Sequence, residues 1–509
     1  MQFTIDTPTR AYLTGTYTSD DVEGLKKDLT YTNENAAHDV KRHYNNKWLR
    51  RKDEDSWQRK LDEMKKKVKN TLVFSENGRL YIRPSSLVYL NPLKYTYDRP
   101  KYNFPIPKKL PWAHMLPFEL HPYQELSVEK LIAIRHGNVE LCTGAGKSAI
   151  LLKICRETGF RAAIVAPSES IFSELVEAFE YYLGKGNVGT FGDGKKKIDK
   201  RITICIGDSL SNIVKGSPEW EFFSNLDMLC VDESHTWGAE TLENLCHGIF
   251  AEVPYRFFMS GTQTRGDGTE LLLHSIIGPT VHRLTTEEAI KGGYICYHDF
   301  AIVELESSNP NYNSNNPLEE KRIHFLNNKN ITAFIAKMCN LTQTGQVLVL
   351  VEELSQIAAL TKLLKVPYAY AHSCKLNKTL IELGLDKVVK KESVEKFNKN
   401  EVKILIGTSC IATGTNIYPM RHTFNWVGSS SEIKAKQGAV GRSVRLGKQN
   451  PYKEKCAPKE EVTVWDFDVR DIPSMSHSLQ VREDYYRDSG TTIRRINLNA
   501  QKVQTGGIR

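Results

Sequence analysis

The chain has 509 residues, 40% hydrophobic and 25% charged, an ordinary globular composition with room for about three or four domains. Its formal charge is +9, from 69 Lys and Arg against 60 Asp and Glu. The excess is local: residues 1–110 hold 22 basic and 14 acidic residues, which leaves 47 and 46 for the remainder. No apolar run approaches the ~20 residues of a bilayer span, and MQFTIDTPTRAYL has neither the n-region nor the h-region of a signal peptide. The ten cysteines begin at Cys142 and form no CxxC pair. These features argue against a membrane, secreted or zinc-bound protein and for the cytoplasm, of a host if the chain is phage-encoded.

In chain order, residues 1–40 carry short β-prone pieces such as FTI and AYLTGTYT. Residues 41–70 hold twelve basic and five acidic residues, with Trp48 and Trp57 among them. The spacing of Trp57, Leu61, Met64 and Val68 predicts a helix with one packed and one basic face. That basic excess fits a module that meets a polyanion, or a solvated helix face. The two tryptophans fit stacking on an exposed base, or the core of a small domain. TLVF-SENG-RLYI (71–82) predicts a hairpin around Asn77-Gly78. Six prolines within 91–117 read as a linker.

From about residue 120 the texture becomes alternating buried strands and helices. The apolar runs AAIVAPS (162–168), ITICIG (202–207), LDMLCVDE (226–233) and YRFFMSGT (255–262) form one group. A second comprises QVLVLVEE (346–353), VKILIGTS (402–409) and VTVWDF (462–467). Near-continuous apolar strands at helical spacing predict parallel sheets covered on both faces, hence an α/β fold. The groups divide near 280–300, and SSNPNYNSNNP (307–317) predicts an exposed loop.

Cys142-Thr143-Gly144-Ala145-Gly146-Lys147-Ser148 precedes a helical run, AILLKIC. Gly144 and Gly146 let the backbone curl, so that N–H groups from Thr143 to Ser148, Ala145 included, face phosphate oxygens at a helix N-terminus. Lys147 can reach the β- and γ-phosphates and the Ser148 hydroxyl can ligate Mg²⁺. The usual first glycine of this pattern is replaced by Leu141. Asp232-Glu233-Ser234-His235 closes a buried strand, where Asp232 can hold the nucleotide's Mg²⁺ and Glu233 can deprotonate attacking water. The two motifs in this order point to an ATPase using ATP and Mg²⁺.

With further motifs, residues from about 118 to 468 resemble a superfamily 2 helicase of the DExH type. His121-Pro122-Tyr123-Gln124 resembles its adenine motif, with His121 where many relatives have Arg. Ala166-Pro167-Ser168 and Gly207-Asp208-Ser209-Leu210 resemble the two segments that grip a nucleic-acid backbone in the family. Small hydroxyl residues at strand ends also cap helices. Ser260-Gly261-Thr262 resembles the segment that couples hydrolysis to strand binding, a role the resemblance extends to His235. VLVLVEEL (347–354) resembles the opening of the family's second core domain. Thr408 to Asn416 resembles its next motif, which assigns Gly414 and Asn416 to the nucleotide and Thr408 to nucleic acid. Gly441-Arg442-Ser443-Val444-Arg445 resembles the finger motif, whose two arginines, three apart on one helix face, stabilise charge on the γ-phosphate. The family's coupling Gln precedes that motif by three residues. Gly438 stands there and Gln437 lies one further back, a ~100° rotation on a helix.

LCTGAGKS, MSGTQTRGDG, IIGPTVHRLTTEEAIKGG and VTVWDF further resemble the UvsW-like phage helicases that remodel branched DNA. The resemblance implies two tandem RecA-like domains behind a small basic α+β N-terminal domain. The expected division is 1–110 as accessory nucleic-acid-binding domain, 111–285 and 286–475 as the two motor domains, and 476–509 as an extension. The expected activity is an ATP-dependent DNA helicase or translocase acting on forks, Holliday junctions or displacement loops. A single DNA strand would lie in the core groove, with duplex or junction on the N-terminal domain. An RNA helicase, and a motor subunit of a larger assembly, remain open beside it.

Overall fold

The structure is a computed structural model. It describes residues 1–46, 50, 53–98, 104–110, 119–261, 268–314, 316–342, 345–372, 378–412, 417–428, 440–488 and 491–498, apart from the side chains of Ser170, His235, Ala239, Ser409, Ala412, Arg442 and Asp488. It divides into one unit of residues 1–141 and 146–283 and another of residues 142–145 and those from 284 onward.

The first unit opens with strands β1 (Gln2–Thr7), β2 (Arg10–Thr14), β3 (Thr30–Thr32), β4 (Lys69–Thr71), β5 (Phe74–Glu76), β6 (Arg79–Ile82) and β7 (Thr96–Tyr97). Five of them form a sheet in the order β5-β6-β2-β1-β7, while β3 and β4 pair separately. The expected hairpin is present, with Glu76 opposite Arg79. Its two turn residues, Asn77 (φ 51°) and Gly78 (φ 74°), are both left-handed, the conformation that matches strand twist in two-residue hairpins. It is shorter than predicted, because Thr71 pairs instead with Thr30.

The predicted helix spans Glu54–Lys66, with the Asp53 side chain accepting the Ser56 N–H at its start. It buries Trp57 and Leu61. Trp57 stacks on His43 at 5.5 Å and donates its indole N–H to the His43 carbonyl at 3.1 Å. Of the two readings of Trp57, packing a core is therefore the observed one; Trp48 lies outside the described residues. Lys41, Arg42, Lys60, Lys65 and Lys66 are exposed.

This module shares one apolar core with the larger sheet of the same unit, from Phe3, Leu25 and Ile82 to Leu242, Leu272 and Ile276. Arg83, largely buried, forms an ion pair with Glu243 and donates to Ser275 Oγ at 3.1 Å. Within the Pro-rich stretch, residues 104–110 lie as a strap, with the N–H groups of Lys108 and Leu110 donating to the carbonyls of Thr158 and Arg156, each at 2.8 Å. The carbonyls at the end of a helix lack internal partners, and the strap supplies them.

The first motor sheet comprises β8 (His136–Leu141), β9 (Ala162–Ala166), β10 (Val188–Gly192), β11 (Lys195–Lys197), β12 (Ile202–Ile206), β13 (Met228–Val231), β14 (Tyr255–Ser260) and β15 (Thr280–Leu284). Their order is β11-β10-β12-β9-β13-β14-β8-β15. From β10 through β8 the neighbouring pairs are parallel. Every residue of β9, β12, β13 and β14 is buried, as two-sided covering by helices requires.

In the second unit, β16 (Tyr297–Leu305), β17 (Gln346–Val351), β18 (Tyr368–Ala371), β19 (Ile404–Gly407), β20 (Met420–Trp426), β21 (Glu461–Val469) and β22 (Ile493–Asn497) form a parallel sheet ordered β18-β19-β17-β20-β21-β16-β22. The helix Pro473–Asp488 and β22 belong to this layer. Arg482 grips Asp466 in a fork, with Nε and Nη2 at 2.7 and 2.8 Å from the two carboxylate oxygens. The Tyr486 hydroxyl donates to the same carboxylate at 2.7 Å.

Both partners of that fork are 1% exposed, so removing one strands a buried charge. Arg482→Met is expected to destabilise the second unit by about 3–5 kcal/mol, read from the denaturant midpoint of its unfolding transition. A variant within about 1 kcal/mol of wild type would show that the fork contributes little.

Candidate ATP site and nucleic-acid motor

A parallel sheet delivers its loops to one edge. The segments after β8, β9, β12, β13 and β14 are those marked in the sequence, and these five strands are contiguous in the first sheet. After β8, Gly144 (φ 87°) and Gly146 (φ 74°) adopt left-handed backbone and the helix Lys147–Thr158 begins. Thr143 is half-buried, Ala145 and Lys147 are buried, and Ser148 is exposed on the first turn. A Cβ on Gly146 would stand 2.6 Å from the Gln124 side-chain nitrogen. Gln124 also accepts the His121 N–H at 2.9 Å, at the start of the helix Pro122–Ile134. His121 stacks on the buried Tyr123 at 5.7 Å.

Asp232 and Glu233 follow β13. The Asp232 N–H donates to the Val165 carbonyl at 2.9 Å, and its carboxylate accepts the Glu233 N–H at 2.9 Å. Glu233 takes a left-handed backbone (φ 48°), a strain of about 1–3 kcal/mol for a residue with a Cβ. The Thr236 N–H and hydroxyl hold its carbonyl at 2.9 and 2.8 Å. That turn aims Glu233 at Lys147, whose ammonium lies 3.1 Å from the carboxylate. Burial, then the neighbouring Glu233, raises the Asp232 pKa from 3.8 to about 7, while Lys147 opposes the shift.

Ser234 donates to the Met259 carbonyl at 3.4 Å, linking this turn to β14, which ends at the buried Ser260. Pro167 and Ser168 are half-buried, and Ser168 caps the helix Glu169–Leu183 through the Ile171 N–H. Ser209 sits half-buried in the short helix Gly207–Ser211. Sequence reasoning missed Trp237. Its indole donates to the Asp232 carbonyl at 3.3 Å and lies where a Cβ on Gly207 would come within 1.7 Å. The signal available was Gly207 itself, since only a residue without Cβ admits that approach.

In the second unit, Thr408 follows β19, its N–H donating to the Ala371 carbonyl at 3.2 Å. The helix Gly441–Ser443 is a single turn, so Arg445 lies beyond it. The carbonyls of Ser443, Val444 and Arg445 all accept hydrogen bonds from outside the turn. Thr262, Gly414, Asn416 and Gln437 lie outside the described residues, as do the side chains of His235 and Arg442.

Two family profiles match: "Type III restriction enzyme, res subunit" over residues 117–265 and "Helicase conserved C-terminal domain" over residues 330–447. Matched to the two parallel sheets, they define a tandem RecA-like motor. The chain belongs to the superfamily 2 helicases.

Among curated proteins, it is similar to the DNA 3'-5' translocase XPB2 of Sulfurisphaera tokodaii, 28% identical over 42% of this chain and 46% of that one. It is also similar to the ATP-dependent DNA helicase RecG of Staphylococcus epidermidis, 23% identical over 74% of this chain and 54% of that one. The chain thus spans about half the length of these relatives. Among solved structures, the DNA-bound Type ISP restriction-modification enzyme LlaBIII matches 79% of this chain and 32% of its own, at 12% identity and TM-score 0.53. T4 UvsW aligns over 98% of this chain and all of its own, at 15% identity and TM-score 0.41. No described helix is long and apolar enough to cross a membrane.

A carboxyl whose folded pKa is raised favours folding below its unfolded pKa and loses that contribution as pH rises through the folded value. For Asp232 the window runs from about 4 to about 7. Without nucleotide, Asp232→Asn should therefore stabilise the first unit at pH 8, on the order of 3 kcal/mol, with little effect at pH 4. Equal effects at both pH values in thermal unfolding would contradict the raised pKa.

Proposed function

We propose that the chain is an ATP-dependent DNA helicase or translocase that remodels branched DNA in recombination, repair or replication restart. The observation that carries the motor reading is the corner formed by Lys147, Asp232 and Glu233 beside a left-handed glycine turn at a helix N-terminus. The turn's N–H groups suit an anion. The exposed Ser148 hydroxyl and the buried Asp232 carboxyl are hard oxygen donors that fit Mg²⁺. Mg²⁺ bound there would neutralise charge on the transferred phosphoryl group.

The 3.1 Å pair of Lys147 with Glu233 supplies the chemistry's first move. Arrival of the β- and γ-phosphates gives Lys147 a stronger partner and releases Glu233 to take the proton of attacking water. Gln124, with His121 and Tyr123 beside it, would read the adenine, and Arg442 and Arg445 would meet the γ-phosphoryl charge. Gly414 and Asn416 would complete the nucleotide's surroundings. His235, Ser260, Thr262 and Gln437 would couple hydrolysis to strand movement, with Pro167, Ser168, Ser209 and Thr408 gripping the backbone of a single strand. Contacts to phosphate and sugar suit a motor that must pass any sequence. The exposed Lys41, Arg42, Lys65 and Lys66 give the N-terminal module a face suited to duplex or junction phosphates. DNA is preferred to RNA because both curated relatives are named as DNA motors.

A second reading comes from the restriction-subunit profile over 117–265: a duplex-translocating motor whose ATPase drives a partner. It predicts DNA-stimulated ATPase without unwinding of any fork.

Lys147→Ala and Glu233→Gln should each lower ATP turnover by about 10³-fold or more, and Arg445→Ala should slow hydrolysis by a similar factor while ATP binding persists. Full turnover in the first two would remove the site assignment, and loss of ATP binding in the third would remove the finger role.

Substrate class is read by ATPase stimulation and strand separation over single strand, duplex, fork, four-way junction and matched RNA. Forks and junctions should stimulate most. Preference for the RNA fork would transfer the protein to the RNA helicases.

A further inference from the structure

Lys459 is a charged residue that the motor reading leaves unused, and it is almost wholly buried (8% exposed). Its ammonium donates to the carbonyls of Ser443 at 2.6 Å, Arg445 at 2.8 Å and Tyr418 at 2.9 Å, and lies 3.5 Å from Met420 Sδ. Three N–H donors thus meet three carbonyls. Two of these flank Val444, whose own carbonyl accepts the Cys296 N–H at 2.8 Å. The Ser443 hydroxyl is held by Thr423 Oγ1 at 2.7 Å. The backbone entering and leaving Arg445 is thereby pinned from three elements: the segment before β16, strand β20, and Lys459 ahead of β21.

Burial is the main cause that lowers the Lys459 pKa from 10.5 to about 7, with Cys296 opposing and Arg445 adding to it. Holding an ammonium in such a place is unfavourable against an apolar side chain of equal volume. Simple packing would be served as well by Met. What an apolar residue could not do is bind three carbonyls that belong to two separate loops.

We propose that Lys459 is a positioning residue for Arg445: it staples the loop 443–445 to the loop ending at Tyr418, and so fixes the direction from which the Arg445 guanidinium is presented. The proposal rests on the reading of Arg445 as the group that stabilises charge on the transferred phosphoryl. A misplacement near 1 Å at such a group costs about 10²-fold in rate, and rate, not ground-state binding, is what the staple governs.

The test is steady-state ATPase kinetics with saturating DNA, on the full chain, for Lys459→Met, Lys459→Arg, Arg445→Ala and the double variant. Lys459→Met should lower kcat about 10- to 100-fold with the KM for ATP within about twofold. Lys459→Arg, which keeps charge and donors, should recover most of the rate. In the Arg445→Ala background, Lys459→Met should cost less than about twofold, since the group it positions is gone. Should Lys459→Met fail to fold, as judged by circular dichroism and melting, Lys459→Gln carries the same three comparisons.

A slow Arg445→Ala enzyme beside a Lys459→Met enzyme of normal kcat would overturn the staple and leave the finger reading intact. So would a Lys459 effect that multiplies undiminished in the Arg445→Ala background, which would mark a general structural role. Normal kcat in Arg445→Ala itself would overturn the finger reading, and the staple with it.

Discussion

Three ionisable groups meet at one sheet edge, and they cannot all be charged there cheaply. Lys147 can neutralise one carboxylate but not two, and the structure gives it to Glu233. Asp232 is left with a raised pKa, held by burial and by its neighbour's charge. The rest of the first unit serves this arrangement. The buried strand β13 carries Asp232 to the edge, the left-handed Glu233 backbone turns its carboxylate toward Lys147, and the glycine turn starts the helix that carries Lys147. On the proposed reading, a polyanion with a divalent cation would complete what the protein leaves unbalanced: negative charge for the lysine, positive charge for the aspartate.

The basic N-terminal module is part of the same mechanical body as this corner. Arg83 fastens it to Glu243 and Ser275, on the helices Ala239–His247 and Glu270–Ile277. The first of these begins two residues after Trp237, which bonds the carbonyl of Asp232. The module's core is therefore continuous with elements adjoining the Asp232–Glu233 turn.

Much of this was legible because parallel sheets write themselves as continuous apolar runs. Each run singled out in the sequence is a strand, and the candidate site residues stand at strand ends: Asp232 after β13, Ser260 closing β14, Thr408 after β19. The hairpin was legible because Asn-Gly answers one turn geometry. Two things were not. The role of residues 104–110 was hidden, since nothing local marks Lys108 and Leu110 as partners for the carbonyls of a helix that starts almost forty residues later. Lys459 was hidden in a run of charges, KEEV, that reads as surface. In each case the deciding contact is long-range, and local propensity is silent about it.

The shared core has a consequence for synthesis. Arg83 finds Glu243 and Ser275 across 160 and 192 residues of chain. At ribosomal rates of about 5–20 residues per second, the N-terminal sheet waits roughly 10–40 s for the surface that covers its apolar side. During that interval Phe3, Leu25 and Ile82 lack part of their native packing, and the β3–β4 pair cannot protect them. The order of elements along the chain thus leaves this strongly non-local contact to form late. The basic excess of residues 41–70 would then repel like chains while those apolar faces are uncovered.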